Sequence, residues 1–165
     1  MVGLILKFEG RLRNIVKELL IDIDISNLEF DISHWESYGD DIDDSQFDFN
    51  NMEDIPSELI RNKLLIEDHY ICPEFMELFI GKFGSAKKEI YYYKDFMESD
   101  YEISIISYDY RNVEIISKDE SLLKKMKDNF LRLNLDNKRI KELDDIALDS
   151  VLQAWRSETM KSIED

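Results

Sequence analysis

Glu102-Ile103-Ser104-Ile105-Ile106-Ser107-Tyr108, the link Asp109-Tyr110-Arg111-Asn112, and Val113-Glu114-Ile115-Ile116-Ser117 together form the stretch on which the fold turns. Both flanks are rich in β-branched residues, which suit a pleated, half-buried surface. The polar link is short enough to close a hairpin. The stretch therefore reads as two antiparallel strands. Downstream, Asp119 and Glu120 open a helix through about Leu133, with Leu122, Leu123, Met126, Phe130 and Leu133 spaced as one buried stripe. A final helix is predicted from about Lys138 toward the C-terminus, carried by Ile140, Leu143, Ala147, Val151 and Ala154, with Trp155 beside them.

Upstream of the hairpin, residues 2 to 8 suit a strand, and Leu12, Ile15, Val16, Leu19 and Leu20 follow helical spacing. Leu28, Phe30 and Ile32 alternate with Glu29, Asp31 and Ser33 in a second strand that continues to Trp35 or Tyr38. A long loop, Gly39 to Asp54, leads into a short helix ending near Leu65, with Asp54 as its cap, Pro56 near the first turn and Glu58 in it. Residues 69 to 83 read two ways. As a strand, Pro73 would need an edge or a bulge; as a helix, Pro73-Glu74 would open it. The strand is preferred. Lys87 to Tyr93 reads as a loop or short strand, and Tyr93 to Glu98 as a helical turn. Strict βαβ alternation is missing, so the expectation is a single α+β domain over residues 1 to 165. It would have an antiparallel or mixed sheet, helices packed on one face, and a C-terminal helix.

Glu98-Ser99-Asp100, the apolar strand after it, Tyr108-Asp109, Val113-Glu114-Ile115 and Lys118-Asp119 before a helix carry a likeness. The pattern resembles a family of small, uncharacterised acidic proteins of low-GC Gram-positive bacteria. The opening strand and helix and the aromatic strand at Trp35 to Tyr38 fit it too. The likeness spans residues 1 to about 130, and the C-terminal helix departs from it. It implies a fold and a bacterial source, and no chemistry.

At 165 residues the chain is long enough to bury a core of its own. Apolar residues at 44% and aromatics at 12% exclude a disordered chain. Cys72 is the single cysteine, which rules out an internal disulfide and fits a reducing compartment. No apolar run approaches the ~20 residues that span a bilayer. Met1-Val2-Gly3-Leu4-Ile5-Leu6 lacks a basic leader and a cleavage site, so it reads as a strand rather than a signal peptide. A cytoplasmic location is expected.

The formal charge of −16 is unevenly spread. From Glu18 to Ile60 there is no Lys or Arg, while 14 acids occur, among them Asp22, Asp24, Glu29, Asp31, Glu36, Asp54 and Glu58. Residues 1 to 17 carry four bases against Glu9, and from Arg61 onward 17 bases meet 22 acids. One quarter of the chain therefore holds nearly all of the excess. Such a protein repels nucleic acid and anionic lipid and attracts basic partners.

Sites with specific chemistry fit poorly. Asp41, Asp43, Asp44 and Asp48 invite a calcium loop, but counting from Asp41 puts Gln46 where the loop needs Gly and Met52 where it needs Glu. Zinc has only Cys72, His34 and His69 to draw on. Cys72 beside Ile71 and Pro73 reads as a small core residue rather than a thiol activated by His69. Gly81 and Gly84 form no phosphate loop. Lys87, Lys88, Tyr91, Tyr92, Tyr93 and Lys94 mix bases with aromatics, but in so acidic a chain they read as a strand or loop with partly buried tyrosines. No metal, cofactor or catalytic residue is expected.

The acidic segment itself carries Ile42, Phe47, Phe49, Met52 and Ile55. Leaving each such side chain in water costs ~1.5–3 kcal/mol, so either they staple the loop to the core or they await a partner. Aromatic anchors ringed by carboxylates suit a binder of a basic protein. The expected function is an immunity or inhibitor protein that neutralises a basic toxin, with a nuclease as one case. Its partner-binding residues would be Trp35, Glu36, Asp40, Asp41, Asp43, Asp44, Phe47, Asp48, Phe49 and Glu53. No nucleic acid or membrane is expected to bind, and the chain would be a monomer or homodimer. The alternatives are a carboxylate enzyme using a divalent ion and a homo-oligomeric domain that packs its C-terminal helix on a second copy.

Overall fold

A computed structural model describes residues 1–10, 12–36, 49, 54–68, 71, 73–82 and 89–164, with the side chains of 155–164 left out. In chain order the elements are β1 (Gly3–Glu9), α1 (Ile15–Leu19), β2 (Glu29–Glu36), α2 (Ser57–Arg61), β3 (Phe75–Gly81), α3 (Tyr93–Glu98), β4 (Tyr101–Tyr108), β5 (Asn112–Ser117), α4 (Glu120–Arg132), β6 (Asp136–Leu143) and α5 (Asp145–Glu164). A π-helical turn, Asn62–Ile66, extends α2. The strands make one six-stranded sheet in the order β2-β3-β4-β5-β1-β6. Every pairing is antiparallel.

The hairpin forms as its residues suggest, with Ile105 opposite Ile115 and Ile103 opposite Ser117. Asp109 (φ 51°) and Tyr110 (φ 58°) supply the left-handed turn that matches strand twist. Leu4, Leu6, Leu78, Ile80, Ile103, Ile105 and Ile115 point to one face, where Val16, Leu19, Ile60, Leu64, Leu123, Met126 and Phe130 of the helices bury them. The helices expected on one face are α1, α2 and α4. On the reverse face α3 and α5 add a smaller core of Phe79, Phe96, Ile116, Leu143, Leu148 and Leu152. Gly81 is a tight point, since a Cβ there would sit 2.2 Å from the Asp100 carbonyl oxygen.

Two local expectations change. Residues 136–143 are a strand, not the start of the last helix. Ile140 packs toward the first core and Leu143 into the second, so their spacing of three mimics a helix while the chain alternates faces. As an edge strand, β6 tolerates its Lys, Arg and Glu content. Asp144 then accepts from the Ala147 N–H (2.8 Å), an N-cap that starts α5. At α2, Pro56 rather than Asp54 holds the N-cap position, and Asp54 turns the chain at φ 49°. The preferred strand reading of 69 to 83 holds at Phe75–Gly81, which is interior; Pro73 lies ahead of it and removes no ladder bond.

Asn14 ties distant segments together. Its Oδ1 accepts from Lys17 N–H (3.0 Å) as the cap of α1, and its amide donates to the Leu64 carbonyl (2.7 Å) inside the π-helical turn. That turn widens the helix and leaves carbonyls in need of donors, and a buried side chain supplies one.

Candidate partner-binding surface

The acid-rich quarter of the chain supplies α1's end, the turn after it, the edge strand β2 and the start of α2. An open strand edge exposes unpaired backbone groups. Here α2 covers part of it. The Ser57 hydroxyl accepts from Phe30 N–H (2.7 Å). Arg61 donates to the Ile25 carbonyl (3.0 Å) and to the Leu28 carbonyl, with its guanidinium 4.9 Å from the Phe30 ring centroid. Arg61 is the first cation after Lys17, and it bonds backbone rather than carboxylates.

Among ion pairs joining two described residues, the one within residues 18 to 60 is His34 Nε2 to Glu36 Oε1 at 2.6 Å. The others, Arg13–Asp68, Lys63–Glu67, Lys94–Glu98, Lys124–Glu120 and Lys127–Glu142, lie outside it. Asp24 accepts from the Ser26 hydroxyl (2.7 Å) and N–H (3.2 Å), which hold its carboxyl below the usual aspartate range.

The end of β2 sorts its side chains by face. A register shift between Ile32 and His34 puts Trp35 on the first-core side and His34 and Glu36 on the other. Trp35 meets Phe49 edge to face, ring centroids 5.0 Å apart. His34 stands edge-on to Phe75 at 5.0 Å, and Ser33 donates to Glu77. Phe49 is 2% exposed, so of the two alternatives for the loop's apolar residues it takes the stapling one. Trp35 beside it and Glu36 on the other face are partly exposed. Asp40, Asp41, Asp43, Asp44, Phe47, Asp48 and Glu53, together with His69 and Cys72, lie outside the described residues.

Register also shows a charge order that sequence reading missed. On the reverse face one row runs His34, Glu77, Ile106, Glu114, Ile5, Lys141 from β2 to β6. The next runs Glu36, Phe75, Tyr108, Asn112, Lys7, Arg139. Acids occupy β2, β3 and β5; cations occupy β1 and β6. Only the strand order brings Lys7 beside Arg139, so no local pattern could have revealed it. Six strands at a spacing of ~4.8 Å separate the two ends by ~24 Å, about three screening lengths in physiological salt. The β2 and β6 edges are electrostatically separate, with the buried Glu114 of β5 standing between them, next to β1.

Among the described residues no group of three or more His, Cys, Asp or Glu is arranged to hold a metal ion, and no helix is long and apolar enough to cross a membrane. A family described as a protein of unknown function, DUF2691, matches residues 1–149. The chain belongs to that family. The match runs past residue 130, through β6 and into the first turn of α5, so the DUF2691 unit includes the whole six-stranded sheet. No curated protein and no solved structure matches the chain.

Proposed function

We propose that this DUF2691 protein is an acidic binding module that neutralises a basic protein, as an immunity or inhibitor protein does with a toxin. One observation carries the reading. In residues 18 to 60 the ion pair that joins two described residues is His34 to Glu36, and Arg61, the first cation after Lys17, is committed to the Ile25 and Leu28 carbonyls. Clustered carboxylates without counter-charge cost folding stability through self-repulsion. A basic partner removes that cost on binding and is drawn in by the same field, with association rising toward ~10⁸ M⁻¹s⁻¹ at low salt. Trp35 offers a partly exposed aromatic anchor on one face of β2 and Glu36 a charge on the other. A nuclease fits the finer form of the reading, because carboxylates would stand where its nucleic-acid phosphates bind.

The test compares association kinetics of a basic partner, captured from the native host, with the wild-type chain and a D41K/D43K/D48K variant. The expected result is association slowed at least ~10-fold in the variant, with a flatter salt dependence. Equal rates and equal salt slopes for both chains would end the proposal.

A further inference from the structure

We infer that the opposite end of the sheet is a binding site for a compact polyanion of the diphosphate class, held by Lys7, Arg139 and Lys141. This goes beyond the acidic surface and does not depend on it. Lys7 and Arg139 are direct cross-strand partners, and Lys141 lies two residues along β6 from Arg139, on the same face. Side chains directly opposite have Cβ atoms ~5 Å apart, and like charges so placed destabilise a sheet. All three are exposed, and none makes an ion pair or side-chain hydrogen bond among the described residues.

What sets them apart from other unpaired cations is that, in a chain with 16 more acids than bases, two of them stand directly opposite each other on the ladder. Two cations on the other face of the same end, Lys138 and Lys127, are engaged. Lys138 donates to the Leu131 (2.6 Å) and Leu133 (2.7 Å) carbonyls at the end of α4, and Lys127 pairs with Glu142 at 2.7 Å. Nearby Glu9 keeps its charge but accepts from the Asn137 amide (2.6 Å) rather than pairing with Lys7 or Arg139. Protection of an edge strand explains Arg139 and Lys141, but Lys7 sits on β1, which is paired on both sides.

The footprint decides the ligand. An Arg fork and two Lys point charges, within about 10 Å, match adjacent phosphate groups better than a planar carboxylate. A long nucleic-acid strand would run from this patch toward the acidic end and be repelled there. A compact ligand avoids that field, because the acidic end lies beyond the screening length.

The experiment titrates the full chain by calorimetry with inorganic pyrophosphate, inorganic phosphate, adenosine diphosphate and a single-stranded oligonucleotide, at ~0.1 M salt. Pyrophosphate is expected to bind saturably in the ~0.1–1 mM range, with phosphate ~10-fold weaker. Adenosine diphosphate binding like pyrophosphate makes the diphosphate itself the recognised group; tighter binding adds a nucleoside to the ligand, and both support the site. Lys7→Ala and Arg139→Gln, each checked for unchanged melting, should weaken pyrophosphate ~10-fold, and Lys127→Ala should not. No saturation by ~10 mM, or equal binding by these variants, would overturn the inference. So would tighter, length-dependent binding of the oligonucleotide.

Discussion

The two edges of the sheet both meet a cation-to-carbonyl device, and they use it in opposite settings. At β2, Arg61 reaches from α2 into an all-acid segment and bonds two carbonyls there. At β6, Lys138 bonds two carbonyls at the end of α4, where cations are already plentiful. The first commits the cation that follows Lys17 in sequence to backbone; the second stands on the face opposite Lys7, Arg139 and Lys141. Charges are mixed in pairs over much of the fold, and the two sheet edges are where the proposed surfaces of opposite sign would stand, at a cost in repulsion.

The contrast can be broken most severely at Phe49. If its buried ring fastens the acidic segment to Trp35, Phe49→Ala should lower unfolding stability by ~3–5 kcal/mol in urea melts. A loss below ~1 kcal/mol would mean the segment is not fastened there. A smaller effect separates the two cations. Arg61→Met should cost ~2 kcal/mol, since it strands buried-edge carbonyls and removes the Phe30 contact, whereas Lys138→Met should cost ~0.5 kcal/mol on an exposed helix end. Equal losses would erase the distinction between the edges. Below the Arg61 effect stands that of Asp119, whose carboxylate caps α4 by accepting from Ser121 N–H (2.7 Å), which holds its pKa below the usual aspartate range. Asp119→Ala should cost ~0.5–1 kcal/mol at neutral pH. Because the folded group titrates below the unfolded one, the cap's contribution is full above the ordinary aspartate range. It fades as pH falls through the lower folded value, so the gap between wild type and variant should close in acid.

The parts of this architecture that sequence could reveal are those with local periodicity. The 102–117 hairpin, α4 from its Asp119 cap, and α3 at Tyr93–Glu98 follow from residue type and spacing. β6 did not, because its single ladder neighbour lets six of its eight residues, Asp136 to Arg139, Lys141 and Glu142, be polar, and the two apolar ones face different cores. The reverse-face core is invisible for the same reason: Phe79 and Ile116 look like ordinary strand residues until α3 and α5 cover them. At the candidate surface, the absence of cations was legible as composition. The burial of Phe49 was not, since an aromatic among acids reads equally as anchor or staple.

The link between Asn14 and Leu64 bears on how the chain reaches this state. A five-residue helix such as α1 cannot hold itself together in water, because nucleation alone outweighs its few bonds. Its cap is fixed by a donor bond across 50 positions, so α1 gains its full form only after the 61–71 region has arrived. Closing so wide a loop carries an entropic toll that slows the step. The first helix in the chain thus depends for its stability on a segment some 50 residues away.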